Sequence, residues 1–205
     1  MMFYNYKKNF FYHEKVDHKI CDMLINFYEN NPNKSRGRVG ATVNQRKQKV
    51  CSEVSPSFKK DVTHSAISSL YTTLDSSCTK FVNTFPFTSN LYLWNIDDGF
   101  NIQVYAPGEA YHNEHCEHGP ENASCKRILA WMLYLNDVTD KGGTKFPHQN
   151  ITLKAKKGDL WMWPAGWTHS HMGIPSPTQV KYIATGWATY KEFCYNESLT
   201  YMFNE

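Results

Sequence analysis

The sequence predicts a mainly β protein, a jelly roll with two N-terminal helices packed against one outer face. Three observations carry that prediction. Aromatic residues make up 15% of the 205-residue chain, and aromatic and β-branched side chains suit pleated, half-buried surfaces. Beyond residue 90, turn signals such as Asp97-Asp98-Gly99, Ala106-Pro107-Gly108, Lys141-Gly142-Gly143, Lys157-Gly158-Asp159 and Pro175-Ser176-Pro177 separate short apolar runs. Strands spaced roughly 8–12 residues apart read as a sandwich or barrel. Before residue 90 the apolar residues instead recur at three- and four-residue intervals, the period of a helix with one buried stripe.

In chain order, Val16, Ile20, Met23, Leu24, Phe27 and Tyr28 predict a first helix over 14–29, stopped at Asn31-Pro32. Val62, Ala66, Leu70, Leu74, Cys78 and Phe81 predict a second over 57–81. Strands follow near 101–106, 110–117, 127–136, 144–147, 151–155, 159–163, 167–171 and 180–190, and about eight strands make a double-sheet jelly roll the natural architecture. No repeat or linker divides the chain. It reads as a single domain over 1–205, with residues 1–89 as helical support and 90–190 as the core.

Composition excludes several classes. The 22 basic and 19 acidic residues leave a net charge of only +3, so binding of a polyanion is not indicated by charge alone. No apolar run approaches the ~18 residues of a membrane span. The N-terminus lacks the pattern of a secretory signal. The six cysteines show no CxxC spacing and read as reduced thiols of a cytoplasmic protein. On that reading the four Asn-x-Ser/Thr sequons, at Asn33, Asn122, Asn150 and Asn196, are chance matches. Residues 34–50 carry six basic groups and no acidic one, which suits a solvated loop or edge strand, or else a basic lip for an anionic substrate. No aromatic residue is interleaved there, so single-strand nucleic-acid stacking is poorly supported. A structural zinc site is disfavoured by the spacing of Cys116 and Cys125, and nucleophilic hydrolysis by the lack of a Gly-x-Ser-x-Gly elbow.

The chemistry concentrates in Tyr111-His-Asn-Glu-His-Cys-Glu-His118. On a strand, residues i and i+2 share a face, so His115 with Glu117, or His112 with Glu114, can aim an imidazole and a carboxylate at one point. A third ligand has to come from elsewhere, and Thr168-His169-Ser170-His171 offers two histidines. Two histidines and a carboxylate on one side of a metal form the facial triad of non-haem Fe(II) oxygenases. Lys181, ten residues past His171, opens a strand from which it could hold the far carboxylate of a dicarboxylate that chelates the iron.

The ordered set resembles the prolyl-4-hydroxylase-like branch of the 2-oxoglutarate- and Fe(II)-dependent dioxygenases, particularly its small stand-alone microbial and viral members. The resemblance covers roughly residues 90–190. It rests on Asn101-Ile-Gln-Val-Tyr-Ala-Pro-Gly-Glu-Ala-Tyr111, His115-Cys-Glu117, Met132-Leu-Tyr-Leu-Asn-Asp137 and Gly142-Gly-Thr-Lys-Phe-Pro147. It continues through Lys157-Gly-Asp-Leu-Trp161, His171-Met-Gly173 and Lys181-Tyr-Ile-Ala-Thr-Gly-Trp187.

The resemblance implies a double-stranded β-helix, the cupin-like form of the jelly roll. By it His115, Glu117 and His171 are the iron ligands and catalytic centre, Lys181 clamps 2-oxoglutarate, and Tyr105 and Tyr134 contact that cosubstrate. The cofactors implied are Fe(II), 2-oxoglutarate and O2, with ascorbate a further candidate, and the substrate a peptidyl proline or another protein side chain. His171 is preferred over His169 because it precedes Gly and sets the family's interval to Lys181. Three departures stand out: Glu117 where the family has Asp, four residues instead of three from Tyr111 to His115, and Lys145 where many relatives have Glu. The second keeps His112/Glu114 as a rival pair. A carboxylate at 117 fills the position a halogenase leaves open for chloride, which favours hydroxylation. The competing readings are a non-catalytic jelly roll that senses 2-oxoglutarate or binds a partner, and a cupin-like metal isomerase.

Overall fold

The computed structural model describes residues 6–37 and 49–191. A 3₁₀ turn over Tyr6–Asn9 leads into β1, Tyr12–Lys15. Asp17 then caps α1, His18–Glu29, its side chain accepting from the Lys19 amide at 2.9 Å. Such a cap satisfies one of the unpaired amides of the first helical turn. The helix therefore begins four residues later than its apolar period suggests, because residues 12–15 are taken by strand pairing. Two short strands follow, β2 (Ser35–Arg36) and β3 (Ser52–Val54), and then α2, Ser65–Thr84. Residues 57–64, expected to be helical, form turns instead. Pro86 disfavours a helical conformation at Phe85, and the helix ends there with φ −128° and ψ 74°. After another 3₁₀ turn come β4 (Trp94–Tyr105), β5 (Arg127–Tyr134), β6 (Thr144–Phe146), β7 (Ile151–Leu153) and β8 (Asp159–Pro164). A last 3₁₀ turn, Trp167–His169, precedes β9 (Met172–Gly173) and β10 (Lys181–Tyr190).

Among the described residues the strands form an antiparallel seven-stranded sheet, β1-β8-β5-β10-β4-β3-β2, and a three-stranded sheet, β7-β6-β9. Most of the expected core strands are present, and β1, β2 and β3 extend the large sheet beyond them. Two expected strands differ. Residues 110–117 are a loop whose strand-type pairing is limited to isolated bridges at Tyr111 and His115. Residues 167–171 are mostly a 3₁₀ turn.

The large sheet separates two cores, and its period-two alternation assigns each residue to one of them. Leu129, Trp131 and Leu133 of β5 face the helices, where they pack with Leu24 of α1 and Ile67, Leu70 and Leu74 of α2. Ala130, Met132 and Tyr134 face the other way, against Phe146, Ile151 and Leu153 of the small sheet. Both helices thus lie on one face of the large sheet, as their apolar stripes require. The other face, covered by the small sheet, the 106–126 loop and the segment from Tyr6 to Phe11, keeps room for a cavity. Gly186 belongs to this construction: a Cβ there would lie 2.6 Å from the Trp131 ring and 3.0 Å from Phe100.

Candidate metal centre

On the cavity face, β4 contributes Asn101, Gln103 and Tyr105, and β10 contributes Lys181, Ile183, Thr185 and Trp187, each set spaced two residues apart. They line a cavity of about 540 Å³. His115 and Glu117 reach it from the loop between β4 and β5, and His171 from the segment entering β9. The loop is held without a strand: the His115 amide donates to the His171 carbonyl at 3.0 Å and the His171 amide returns to His115 at 2.8 Å. The Glu117 amide donates to Ala165 at 3.0 Å. These bonds give the residue pair 115/117 a strand's alternation while sparing it a strand's neighbours.

Nε2 of His115 lies 3.6 Å and Nε2 of His171 3.5 Å from the same oxygen, Oε1 of Glu117. The three groups offer one ligand atom each within 4.8 Å of one another. Nδ1 of His115 is 2.9 Å from the Asn113 carbonyl, and Nδ1 of His171 is 3.0 Å from the His169 carbonyl. A carbonyl only accepts, so Nδ1 carries the proton and Nε2 presents a lone pair, the usual way a second partner orients a metal-ligating histidine. Two imidazole lone pairs and a carboxylate that converge so closely repel one another unless a cation sits among them. The donor set, two nitrogens and one oxygen, suits a divalent transition metal. Rings fix the imidazoles: Tyr111 stacks on His115 at 3.6 Å, and His171 lies against Phe146 and Trp163 at 5.1 and 5.2 Å.

Burial alone would raise the Glu117 carboxyl; without a metal, protonation of His115 and His171 at Nε2 brings hydrogen bonds and charge that more than reverse this and hold it well below the usual carboxylate range. Its second oxygen, Oε2, accepts from the Trp187 indole at 2.8 Å and faces Arg127 at 3.5 Å.

The rival ligands are placed elsewhere. Glu114 turns outward to the Ser170 hydroxyl, 2.5 Å away, and to His148 at 3.9 Å, while His112 is exposed. His169 is buried, with one ring nitrogen 2.8 Å from the Asn9 carbonyl and the other 3.0 Å from the Thr168 hydroxyl, so neither faces the cavity.

Lys181 sits in the same cavity, only 4% exposed. Its ammonium lies 4.7 Å above the Tyr105 ring, and no carboxylate among the described residues pairs with it. Burial pushes it from its ordinary 10.5 down to about 8, with Cys51 opposing. A buried cation without a counter-ion is costly; a carboxylate-bearing ligand would supply the missing charge. The two tyrosines are divided. Tyr105 lines the cavity, yet its hydroxyl donates to Gln103 at 2.7 Å, so it is the ring that meets Lys181. Tyr134 has no exposed surface, and its hydroxyl engages Thr144, the residue that does line the cavity, at 2.7 Å.

The basic stretch 34–50 also resolves in part. Arg36 lies on the edge strand β2, residues 38–48 fall outside the described residues, and Lys49 is buried against Glu53 at 2.7 Å in the cavity wall. Gln103 joins Glu53 at 3.3 Å. Glu53 had no signal in the sequence, since its place depends on β3 pairing with β4, and Lys49 of the basic stretch is placed by its bridge to Tyr111. Arg127 and Trp187, which the sequence did not single out as site residues, meet at the far oxygen of Glu117. Trp167 is 77% exposed. Lys145 faces outward.

Residues 100–189 match the 2OG-Fe(II) oxygenase superfamily. The protein named probable prolyl 4-hydroxylase 9 of Arabidopsis thaliana is 30% identical over 117 residues, covering 44% of this chain and 40% of that protein. The matched region spans less than half the length of the curated relatives. Two solved structures share the fold. One is the viral collagen prolyl hydroxylase of Paramecium bursaria Chlorella virus-1 in complex with 2OG (TM-score 0.64, 20% identity, 89% of this chain and 97% of that one). The other is a prolyl hydroxylase from Trichoplax adhaerens in complex with a hypoxia inducible factor peptide fragment (TM-score 0.70, 15% identity, 90% and 85%). The architecture is the double-stranded β-helix that the sequence resemblance implied. Residues 100–189 thus resemble the 2OG-Fe(II) oxygenase superfamily, and the relatives and fold neighbours are prolyl hydroxylases.

Proposed function

We propose that the chain is an Fe(II)- and 2-oxoglutarate-dependent hydroxylase whose substrate is a peptidyl proline or another protein side chain. One observation carries the reading: His115, Glu117 and His171 aim three ligand atoms into a cavity that also holds a buried lysine without a carboxylate partner. When bound, Fe(II) and 2-oxoglutarate supply the power to oxidise a C–H bond with O2.

The residues of the chain do the rest. His115, Glu117 and His171 would hold the metal from one side, leaving its other positions to the cavity. Lys181 would bind the outer carboxylate of 2-oxoglutarate, with the Tyr105 ring fixing the ammonium from below. Met132, Trp163 and Ile183 supply apolar wall, which limits water around the reacting carbon. Tyr134 would act through Thr144, by orienting its hydroxyl at the cavity surface. The peptide preference is supported by the prolyl hydroxylases among the relatives and neighbours. Cytoplasmic residence is supported by the free thiols of Cys21, Cys51, Cys78, Cys116 and Cys125; among the described residues no helix is long and apolar enough to cross a membrane.

The test is turnover of 2-oxoglutarate with a panel of proline-containing peptides, read as succinate release and as a mass gain of one oxygen on the peptide. The proposal expects the two signals in equal amounts. Stoichiometric binding of 2-oxoglutarate without succinate under any peptide would contradict it and favour a sensor.

A further inference from the structure

The two oxygens of Glu117 have different partners. Oε1 faces both imidazoles, at 3.6 and 3.5 Å. Oε2 is held away from them by the Trp187 indole N–H, 2.8 Å distant, and faces the Arg127 guanidinium at 3.5 Å. Arg127 is itself tied on two further sides: it donates to the Glu117 carbonyl at 3.0 Å and lies 3.5 Å over the Trp187 ring. Backbone, carboxylate and indole of this corner are therefore locked together, and Trp187 is anchored on the cavity face of β10.

A glutamate has one more rotatable bond than the family's aspartate. Left alone, its carboxylate can swing, and ordering it costs conformational entropy. An indole N–H aimed at the far oxygen removes that freedom and settles which oxygen points at the histidines.

We propose that Trp187, stacked on Arg127, is a positioning residue that fixes the single-oxygen presentation of Glu117 and makes glutamate, and not aspartate, the carboxylate that fits this site. The proposal rests on the metal-centre reading above. An aspartate is one carbon too short to keep both the histidine edge and the indole. Glutamate and Trp187 therefore form one unit, and their contributions to metal affinity are coupled.

The experiment titrates Mn(II), and Co(II) for its visible spectrum, into the full chain and into Trp187→Phe, Glu117→Asp and the double variant, with circular dichroism and melting as controls for folding. Phenylalanine keeps a ring for Arg127 and removes only the donor. Trp187→Phe is expected to weaken metal binding roughly 10- to 100-fold, the range for loss of an outer partner of a ligand, and to alter the Co(II) spectrum. Glu117→Asp should lose a similar factor in the parent chain and little more in the Trp187→Phe background. Unchanged affinity and spectrum in Trp187→Phe, or losses that multiply in the double variant, would overturn the proposal. Should Trp187→Phe fail to fold, Arg127→Gln carries the same expectation, and wild-type affinity there overturns it equally. A parent chain that binds neither ion would instead refute the metal centre itself.

Discussion

Replacing Lys181 with methionine should make the ligand-free protein more stable while removing its hold on 2-oxoglutarate. The side chain is 4% exposed, its ammonium has only the Tyr105 ring for company among the described residues, and burial takes it from 10.5 to about 8. That difference corresponds to about 3 kcal/mol against the charged form inside the fold. Methionine fills similar space and carries no charge. Allowing about 1 kcal/mol for the lost cation–π contact, the variant should gain about 2 kcal/mol near neutral pH, or roughly 4–8 °C in melting temperature for a domain of this size.

The pH dependence separates this cause from simple repacking. Because the folded value lies below the unfolded one, the cost to the parent chain is complete below pH 8. It fades as pH rises from 8 toward 10.5, where the unfolded lysine also loses its proton. Thermal melts of parent and variant from pH 6 to 10 should therefore converge at the alkaline end. Saturating 2-oxoglutarate with a metal should stabilise the parent and leave the variant unmoved. A variant that is less stable at pH 7, or a difference that stays constant with pH, would refute the idea that Lys181 is a stored, uncompensated charge.

Three further outcomes follow. His171→Ala should abolish metal binding by calorimetry while His169→Ala retains it, because the His169 ring nitrogens are committed to Asn9 and Thr168; the reverse result would exchange their roles. The affinity for 2-oxoglutarate should fall about tenfold between pH 7 and pH 9, as the Lys181 ammonium empties through a value near 8; a flat profile would remove Lys181 from the contact. Gly186→Ala should lower stability by about 1–3 kcal/mol in urea unfolding, since its Cβ would sit 2.6 Å from the Trp131 ring, and a neutral effect would mean that this face of the sheet is less tightly packed than it stands.

Much of this was legible in the residues, for local reasons. The turn dipeptides set the limits of β5, β6, β7, β8 and β10, and the two apolar stripes announced helices that had to share one sheet face. That His115 and Glu117 share a direction was legible because they sit two apart, a spacing that His112 and Glu114 share. The reason differs from the one the spacing suggested, though: single backbone bridges to His171 and Ala165, and not a strand, fix their direction. What was hidden depends on pairing between distant segments. β1 is short and polar, and its only warrant is the edge of β8. Glu53 looks like a surface charge until β3 brings it into the cavity wall, and Lys49 until its bridge to Tyr111 does the same. The preference for His171 over His169 came from its interval to Lys181, but its physical ground, a residue-9 carbonyl occupying the rival ring, was not visible. The division between Tyr105 and Tyr134 needed hydroxyl partners, Gln103 and Thr144, that no spacing names.

The central claim, one cation gripped by three remote side chains beside a lysine that receives a dicarboxylate, is tested most directly by anaerobic calorimetric titration. Fe(II) is added first, then 2-oxoglutarate. The account predicts one Fe(II) per chain, and 2-oxoglutarate binding that needs both the metal and Lys181. Binding of 2-oxoglutarate with equal strength to the metal-free chain, or to Lys181→Met, would contradict it.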